Sequence, residues 1–225
     1  WQRQAIRTAD RVANCGCYPV GFILAVRPLI EAGLLRADAP LTVNAVSGYS
    51  GGGRSLIEAY QATPPGPDGD ASPPLGLYGL DGNHKHVAEM LKFSGTQHPP
   101  LFVPAVDHVY CGMLTSTPVP AAAWTSAATT PEQVYDIWHE RYADETFVQP
   151  VAPAAATGLM RDGRFLDLDG ANLTNRLDLF VFGDPQVGLV LVGREDNLGK
   201  GASGNAVQCL NLMLGFDEAT GLTVS

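Results

Sequence analysis

Residues 11–35 read RVANCGCYPVGFILAVRPLIEAGLL, and the reading of this stretch decides the fold. Positions 11–14 read as a short strand. From Tyr18 to Leu35 the apolar spacing predicts a helix, with Pro19 in its first turn and Gly33 near its end. Cys17 therefore falls at a strand-to-helix junction, where unpaired N–H groups and the positive end of the helix dipole favour thiolate over thiol. The thiolate is the form that attacks carbonyl carbon, and Cys17 is expected to react below the ordinary cysteine pKa of about 8.5. An arbitrary free cysteine packs as a small hydrophobe. The surrounding Asn14-Cys15-Gly16-Cys17-Tyr18-Pro19 tilts Cys17 toward a nucleophile instead.

Working outward, the apolar run Leu41 to Val46 is β-like and leads into the glycine-rich loop SGYSGGG, after which Arg54 to Tyr60 has helical spacing. Further β-like runs occur at 101–106, 110–119, 146–151, 177–183 and 187–193, several of them alternating. They predict one mixed, largely antiparallel sheet with packed helices, an α+β fold. Thr130-Pro131-Glu132-Gln133 combines a capping box with Pro at the first helical position and predicts a helix through Arg141. A last helix is expected from Ala202 to Leu214, and ATPPGPDGDASPP at 62–74 reads as a surface loop.

With 225 residues, 45% apolar and 16% charged, the chain is long enough to bury a sizeable core. Its 14 Lys and Arg against 23 Asp and Glu give a net charge of −9, with no basic stripe. Nucleic acid and anionic membrane are poor partners for such a surface. No run has the length a bilayer span demands, and WQRQAIRTADRV lacks the apolar region of a signal peptide. Cysteines at 15, 17, 111 and 209 are too few and scattered for a disulfide scaffold, so a reducing cytoplasm is expected. Cys15 and Cys17 have no second pair at ligand spacing, and no metal is expected. A chain that opens without Met and reaches its Cys motif after fourteen residues is expected to lack an upstream segment.

Three other motifs bear on chemistry. His84-Lys85-His86 offers a proton shuttle for the thiol, and on a helix positions two apart diverge, so one histidine faces the thiol and the other is a capping or supporting group. Which is which stays open, while His98, His108 and His139 read as surface or packing residues. Gly48-Tyr49-Ser50-Gly51-Gly52 matches the G-x-S-x-G nucleophile elbow, with Asp81 and a histidine in the right order downstream. Too few strand-helix units follow it for an α/β-hydrolase, and the loop reads alternatively as backbone N–H groups facing an anion. Gly199-Lys200-Gly201-Ala202-Ser203-Gly204 matches the dinucleotide fingerprint but has no room after it for the rest of such a domain. What remains there is a glycine-rich helix start suited to an anion or amide ligand.

Taken in order, NCGCYPVGFILAVRPLIEAGLL, VNAVSGYSGGGRSLIEAY, LYGLDGNHKHVAEM, TNRLDLFVFG and DNLGKGASGNAVQCLNLMLG resemble the shorter-chain type of N-acetyl-γ-glutamyl-phosphate reductase. The resemblance implies NADPH-dependent reduction of N-acetyl-glutamyl 5-phosphate to the semialdehyde, a step of arginine synthesis, by a homo-oligomer. Cys17 matches the catalytic cysteine, and His84 and His86 match the segment that supplies the acid-base residue. The phosphate and substrate are assigned to Ser47, Gly48, Ser50, Gly51 and Arg54, and NADP(H) to Asn197, Gly199, Lys200, Gly201 and Asn205. By the same resemblance, residues 1–14 are a remnant of a nucleotide-binding domain and 15–198 the catalytic and dimerisation domain. Residues 199–225 then form the segment that returns to the first domain. Cys15 stands where the family usually has Pro, and Cys209 near a usual Asn. Set against this reading are a Ser50 or Cys17 hydrolase without cofactor and a non-catalytic fragment of the reductase.

Overall fold

The computed structural model describes residues 2–62, 73, 75–126 and 128–224. Its strands are Thr42–Gly48 (β1), Gly76–Leu77 (β2), Leu101–Asp107 (β3), Met113–Pro120 (β4), Val148–Pro150 (β5), Leu177–Asp184 (β6) and Gly188–Glu195 (β7). They form one sheet in the order β2-β3-β1-β4-β7-β6-β5. β1 with β3 and β5 with β6 are parallel pairs, and the remaining four pairs are antiparallel. A parallel pair needs a crossover. Between β1 and β3 it includes two helices, Gly53–Ala62 (α3) and Lys85–Ser94 (α4), and their placement brings the His84–His86 segment to the sheet. The other helices are Arg3–Arg7 (α1), Cys17–Glu31 (α2), Pro131–Tyr142 (α5), Pro153–Ala156 (α6) and Gly204–Leu214 (α7). No helix of the described residues is long and apolar enough to cross a membrane.

α2 is apolar nearly all round, which marks a helix buried on several sides. It lies on the sheet under α4 and α5. The contact is made by small residues: Gly193 of β7 meets Gly21, and a Cβ on Gly21 would fall on the Thr115 hydroxyl. Pro28 sits inside this helix and has no N–H to give the carbonyl of Leu24. The Tyr142 hydroxyl supplies the missing donor at 2.6 Å, while Trp138 Nε1 donates to Ala25 O at 2.8 Å. Around these anchors Phe22, Leu29, Met90, Trp138 and Leu177 are fully buried, each large apolar side chain worth about 1.5–3 kcal/mol. On the opposite face a smaller cluster gathers Phe180, Val192 and Ala156 beside the buried Arg194–Asp178 pair, 2.8 Å apart.

Most elements lie where the pattern puts them, including the Thr130–Gln133 capping box. Several bounds differ. Residues 11–16 are not a strand: Asn14 Nδ2 donates to Ala202 O and Gly16 N to Glu89, so side chains and a distant loop stand where ladder partners would be. Cys17 is thus at a loop-to-helix junction. α2 stops at Glu31 because Gly33 turns to φ 71°, short of Leu35. The run 110–119 begins its strand only at Met113, after a turn in which Gly112 has φ 112°. The strand at 146–151 shrinks to three residues, and the last helix begins at Gly204 after a π-helical turn, Gly199–Ser203. Of the loop 62–74, all but Ala62 and Pro73 lie outside the described residues.

Candidate active site

Two helix starts converge on one glycine. Gly16 is the N-cap of α2, so Cys17 is the first helical residue, and the Gly16 N–H donates to both carboxylate oxygens of Glu89 at 3.2 and 3.1 Å. Glu89 is on α4, one turn after His86, and positions three apart share a helix face. From that face the Nε2 edge of the His86 ring presses on Gly16, leaving no space for a Cβ. Cys17, His86 and Glu89 are thus brought together by the N-terminal turns of α2 and α4.

The two histidines differ in place and environment. His84 is the N-cap of α4, its Nδ1 accepting from the His86 N–H at 3.2 Å, and its ring lies 4.7 Å from that of His86. His86 is buried, and its Nδ1 has no hydrogen-bond partner. Burial, followed by the charges of His84 and Lys85, holds the His86 imidazole down to about 4, so at neutral pH the ring is uncharged. His84 is lowered as well, by burial and then Lys85. Tyr18 packs its ring 5.7 Å from that of His86 and accepts a hydrogen bond from the Tyr78 hydroxyl at 2.9 Å.

The thiol does not carry the lowered pKa its helix position suggests. Burial pushes Cys17 up to about 11, and the charge of Glu195 adds to that, while the N–H groups of Tyr18 and Cys17 pull the other way and lose. Cys15 is pushed up to about 12 by burial first, with Glu195 next, and its Sγ accepts from Asn205 Nδ2 at 3.3 Å. Removing a charge from water outweighs the dipole of one helix end here. Burial therefore favours the neutral thiol at Cys17.

The serine loop is a brace. The N–H groups of Gly48, Tyr49 and Ser50 donate to the carbonyls of Gly112, Val109 and Tyr110, so they do not form an open anion nest. Ser50 is buried, and its hydroxyl accepts from Asn197 Nδ2 at 2.9 Å, with no histidine bonded to it. Ser47 is buried and donates to Gly48 O at 2.8 Å, which leaves Gly51, Gly52 and Gly53 as the exposed part of the loop. Arg54, 90% exposed, pairs with Glu58 along its own helix at 2.6 Å. It stands as a surface ion pair, not as a group turned to the thiol.

The second glycine loop touches Cys17 directly. A Cβ on Gly201 would stand 2.8 Å from that of Cys17, so glycine is needed for the approach. The polar side chains assigned to a cofactor here have internal partners. Asn197 links Ser50 to the Gly112 N–H, Lys200 is buried and donates to Asn205 and Gln208, and Asn205 also donates to Asn14. A Cβ on Gly199 would fall on Thr174 O, so that residue packs inward as well. The backbone at Gly201 therefore stands beside the thiol, with these side chains as its buttress. No group of three or more His, Cys, Asp or Glu among the described residues could hold a metal.

Glu89 and Glu195 are the site residues that sequence reasoning missed. Glu89 had a signal, the three-residue spacing from His86 within an amphipathic run. Glu195 had none, since only the packing of α2 on β7 brings its charge within range of the thiol.

The semialdehyde dehydrogenase dimerisation-domain family matches residues 17–197. N-acetyl-γ-glutamyl-phosphate reductase 2 of Nostoc sp. is 50% identical over 98% of this chain, which covers 69% of that protein. The N-acetyl-γ-glutamyl-phosphate reductase of Burkholderia cenocepacia is 44% identical over 96% of the chain and 67% of its own length. Among solved structures, aspartate semialdehyde dehydrogenase II from Vibrio cholerae aligns over 95% of this chain and 66% of its own, with a TM-score of 0.66 and 19% identity. A probable aspartate-semialdehyde dehydrogenase from Pseudomonas aeruginosa aligns with a TM-score of 0.64 at 19% identity, over 95% of this chain and 65% of its own. At that identity the likeness is one of fold.

Proposed function

This chain belongs to the N-acetyl-γ-glutamyl-phosphate reductases of the semialdehyde dehydrogenase family, and from that premise we propose that it carries the catalytic centre for reducing N-acetyl-glutamyl 5-phosphate to the semialdehyde in arginine synthesis. The observation that carries the proposal is the convergence of Cys17 and His86 on Gly16. Cys17 Sγ attacks the acyl carbon, the C–O bond to phosphate breaks, and a thioester is left on the protein. NADPH, when bound, supplies hydride for the reduction of that thioester. His86, neutral and with its Nε2 edge toward the nucleophile, takes the Cys17 proton as the S–C bond forms, and the imidazolium so made returns that proton to the oxygen on which charge develops, with His84 behind it. Collapse of the thiohemiacetal then returns the Cys17 thiol and frees the aldehyde.

Residues 15–198 are read as the catalytic and dimerisation unit, and a homo-oligomer as its working form. Residues 1–14 and 199–225 are read as the parts that belong with a nucleotide-binding domain. α1 packs on α7, which keeps those two segments together. The Ser50 hydrolase reading has no support from the geometry around that hydroxyl.

The test is acyl transfer to the thiol. Incubated with N-acetyl-glutamyl phosphate, the chain should release one equivalent of phosphate and gain the acyl mass on Cys17. Phosphate release by a Cys17→Ser variant at the same rate would sink the thioester route.

A further inference from the structure

His84 and His86 have defined places in the site, whereas Lys85 between them has no partner. It is the first residue of α4, it is exposed, and its ammonium makes no hydrogen bond or ion pair among the described residues. The position itself opposes a cation. A helix start carries the positive end of the dipole, and no acidic residue stands in the first turn of α4 to offset it. A local rule broken in this way, with no compensating contact, marks a residue kept for a ligand of the opposite charge.

Helix spacing fixes the side on which this charge stands. Glu89 is one turn further along α4, so Lys85 and Glu89 share a helix face, with Cβ atoms about 5–6 Å apart. That face is laid against the start of α2, because both Glu89 oxygens accept from the N–H of Gly16, the residue before Cys17. Side chains lean toward the N-terminus of their own helix, so Lys85 projects past the start of α4 on the side of the nucleophile. Burial is the main influence on the Cys17 thiol, and Lys85 is among the groups that oppose its rise, in keeping with an ammonium within range of the sulfur.

Other basic side chains are already held. Arg54 pairs with Glu58, Arg176 and Arg194 with Asp178, and Lys200 donates to Asn205 and Gln208. The N–H groups of Gly48, Tyr49 and Ser50 are taken by carbonyls. Lys85 is left with its charge unspent at the convergence of the two helix starts.

We propose that the Lys85 ammonium binds the phosphoryl group of the acyl phosphate and holds this leaving group beside Cys17. This rests on the reading of Cys17 as the acylated nucleophile. In the step the S–C bond forms and the acyl C–O bond breaks, its electron pair going to the phosphate oxygen. Lys85 stays protonated and transfers nothing. It faces the phosphoryl oxygens, where negative charge grows as the bond breaks. An ester or amide of the same acyl group carries no such charge, so Lys85 selects for the phosphorylated acyl donor.

The test uses inorganic phosphate as the probe and alkylation of Cys17 by iodoacetamide, read by fragment mass spectrometry, as the reporter. Each chain is compared with its own rate in sodium chloride of the same ionic strength. Phosphate should slow alkylation of the wild-type chain in a saturable way. Lys85→Gln should raise the phosphate concentration for half the effect by about tenfold or more, the worth of a charge-assisted contact. Lys85→Arg, which keeps the charge, should restore most of the affinity. Lys85 is exposed, so neither substitution removes a buried side chain. A wild-type chain on which phosphate has no saturable effect overturns the proposal, and so does a Lys85→Gln chain whose phosphate dependence superposes on the wild type. Alkylation needs neither acyl phosphate nor NADPH. A chain that fails to take the acyl group yet shows the Lys85-dependent phosphate effect counts against the reductase reading alone, and one that takes the acyl group without that effect counts against this proposal alone.

Discussion

The ring of His86 occupies the place where a side chain on Gly16 would stand. Glycine is required there for space rather than for backbone conformation, since Gly16 has φ −72° and ψ 155°, open to any residue. The contact fixes the separation between the nucleophile's helix and the histidine's helix.

Gly16→Ala is expected to destabilise the fold by about 1–3 kcal/mol, the usual range for overpacking. The ring has little freedom to swing away, because it is buried and packed against Tyr18. His86→Ala should open the needed space, so the double variant should lose less stability than the two single losses added together. Urea unfolding of the three variants measures this. Strict additivity would show that the two residues do not press on each other in solution.

The uncharged state of His86 makes a stability prediction with a definite sign. In the folded chain burial holds this imidazole down to about 4, against about 6.5 when unfolded. Between those values the unfolded chain binds the extra proton. Stability is therefore full above about 6.5 and falls as the pH drops toward 4. His86→Gln should flatten the slope of the unfolding midpoint across that window, and a slope as steep as the wild type's would place the proton uptake on another group.

A third prediction concerns α2 away from the chemistry. Tyr142→Phe removes the donor that the Leu24 carbonyl receives because Pro28 has none to give. Leaving a buried carbonyl unpaired should lower stability by about 1–3 kcal/mol. Pro28→Ala restores a backbone donor, so in that background Tyr142→Phe should cost measurably less by chemical denaturation.

The sheet, α2 and the cap of α5 were legible because their signals are local: alternation, a continuous apolar run after Cys17, and the Thr130–Gln133 spacing. The bounds that failed depend on partners far away in sequence. Residues 11–14 have strand-like composition, but Asn14 bonds Ala202 across the fold. The raised pKa of Cys17 is hidden from the sequence for the same reason. The helix dipole can be inferred from position, whereas the burial that outweighs it comes from the folded packing and the charge of Glu195 from β7. Ser50 carried a motif signal and Arg54 an assignment by resemblance, yet Arg54 pairs with Glu58 on the surface and Ser50 braces Asn197.

The last prediction separates the two nucleophile motifs. Cys17→Ser should abolish reduction of the acyl phosphate in the enzyme, since an alcohol in the same place is a far weaker nucleophile and Ser50 has no base within hydrogen-bond reach to replace it. Ser50→Ala should leave acylation of Cys17 intact. Its effect is on the brace: the Asn197 amide that bonds Ser50 also accepts from the Gly112 N–H at 2.9 Å, so losing the hydroxyl unties one end of the link between the serine loop and the end of β7. One buried hydrogen bond of this kind is worth about 1 kcal/mol, which predicts a modest drop in unfolding midpoint. A fluorophosphonate should fail to label Ser50 in the wild-type chain, because the hydroxyl is buried and already holds a donor. Stoichiometric labelling of Ser50, with loss of turnover in Ser50→Ala and not in Cys17→Ser, would reverse the assignment.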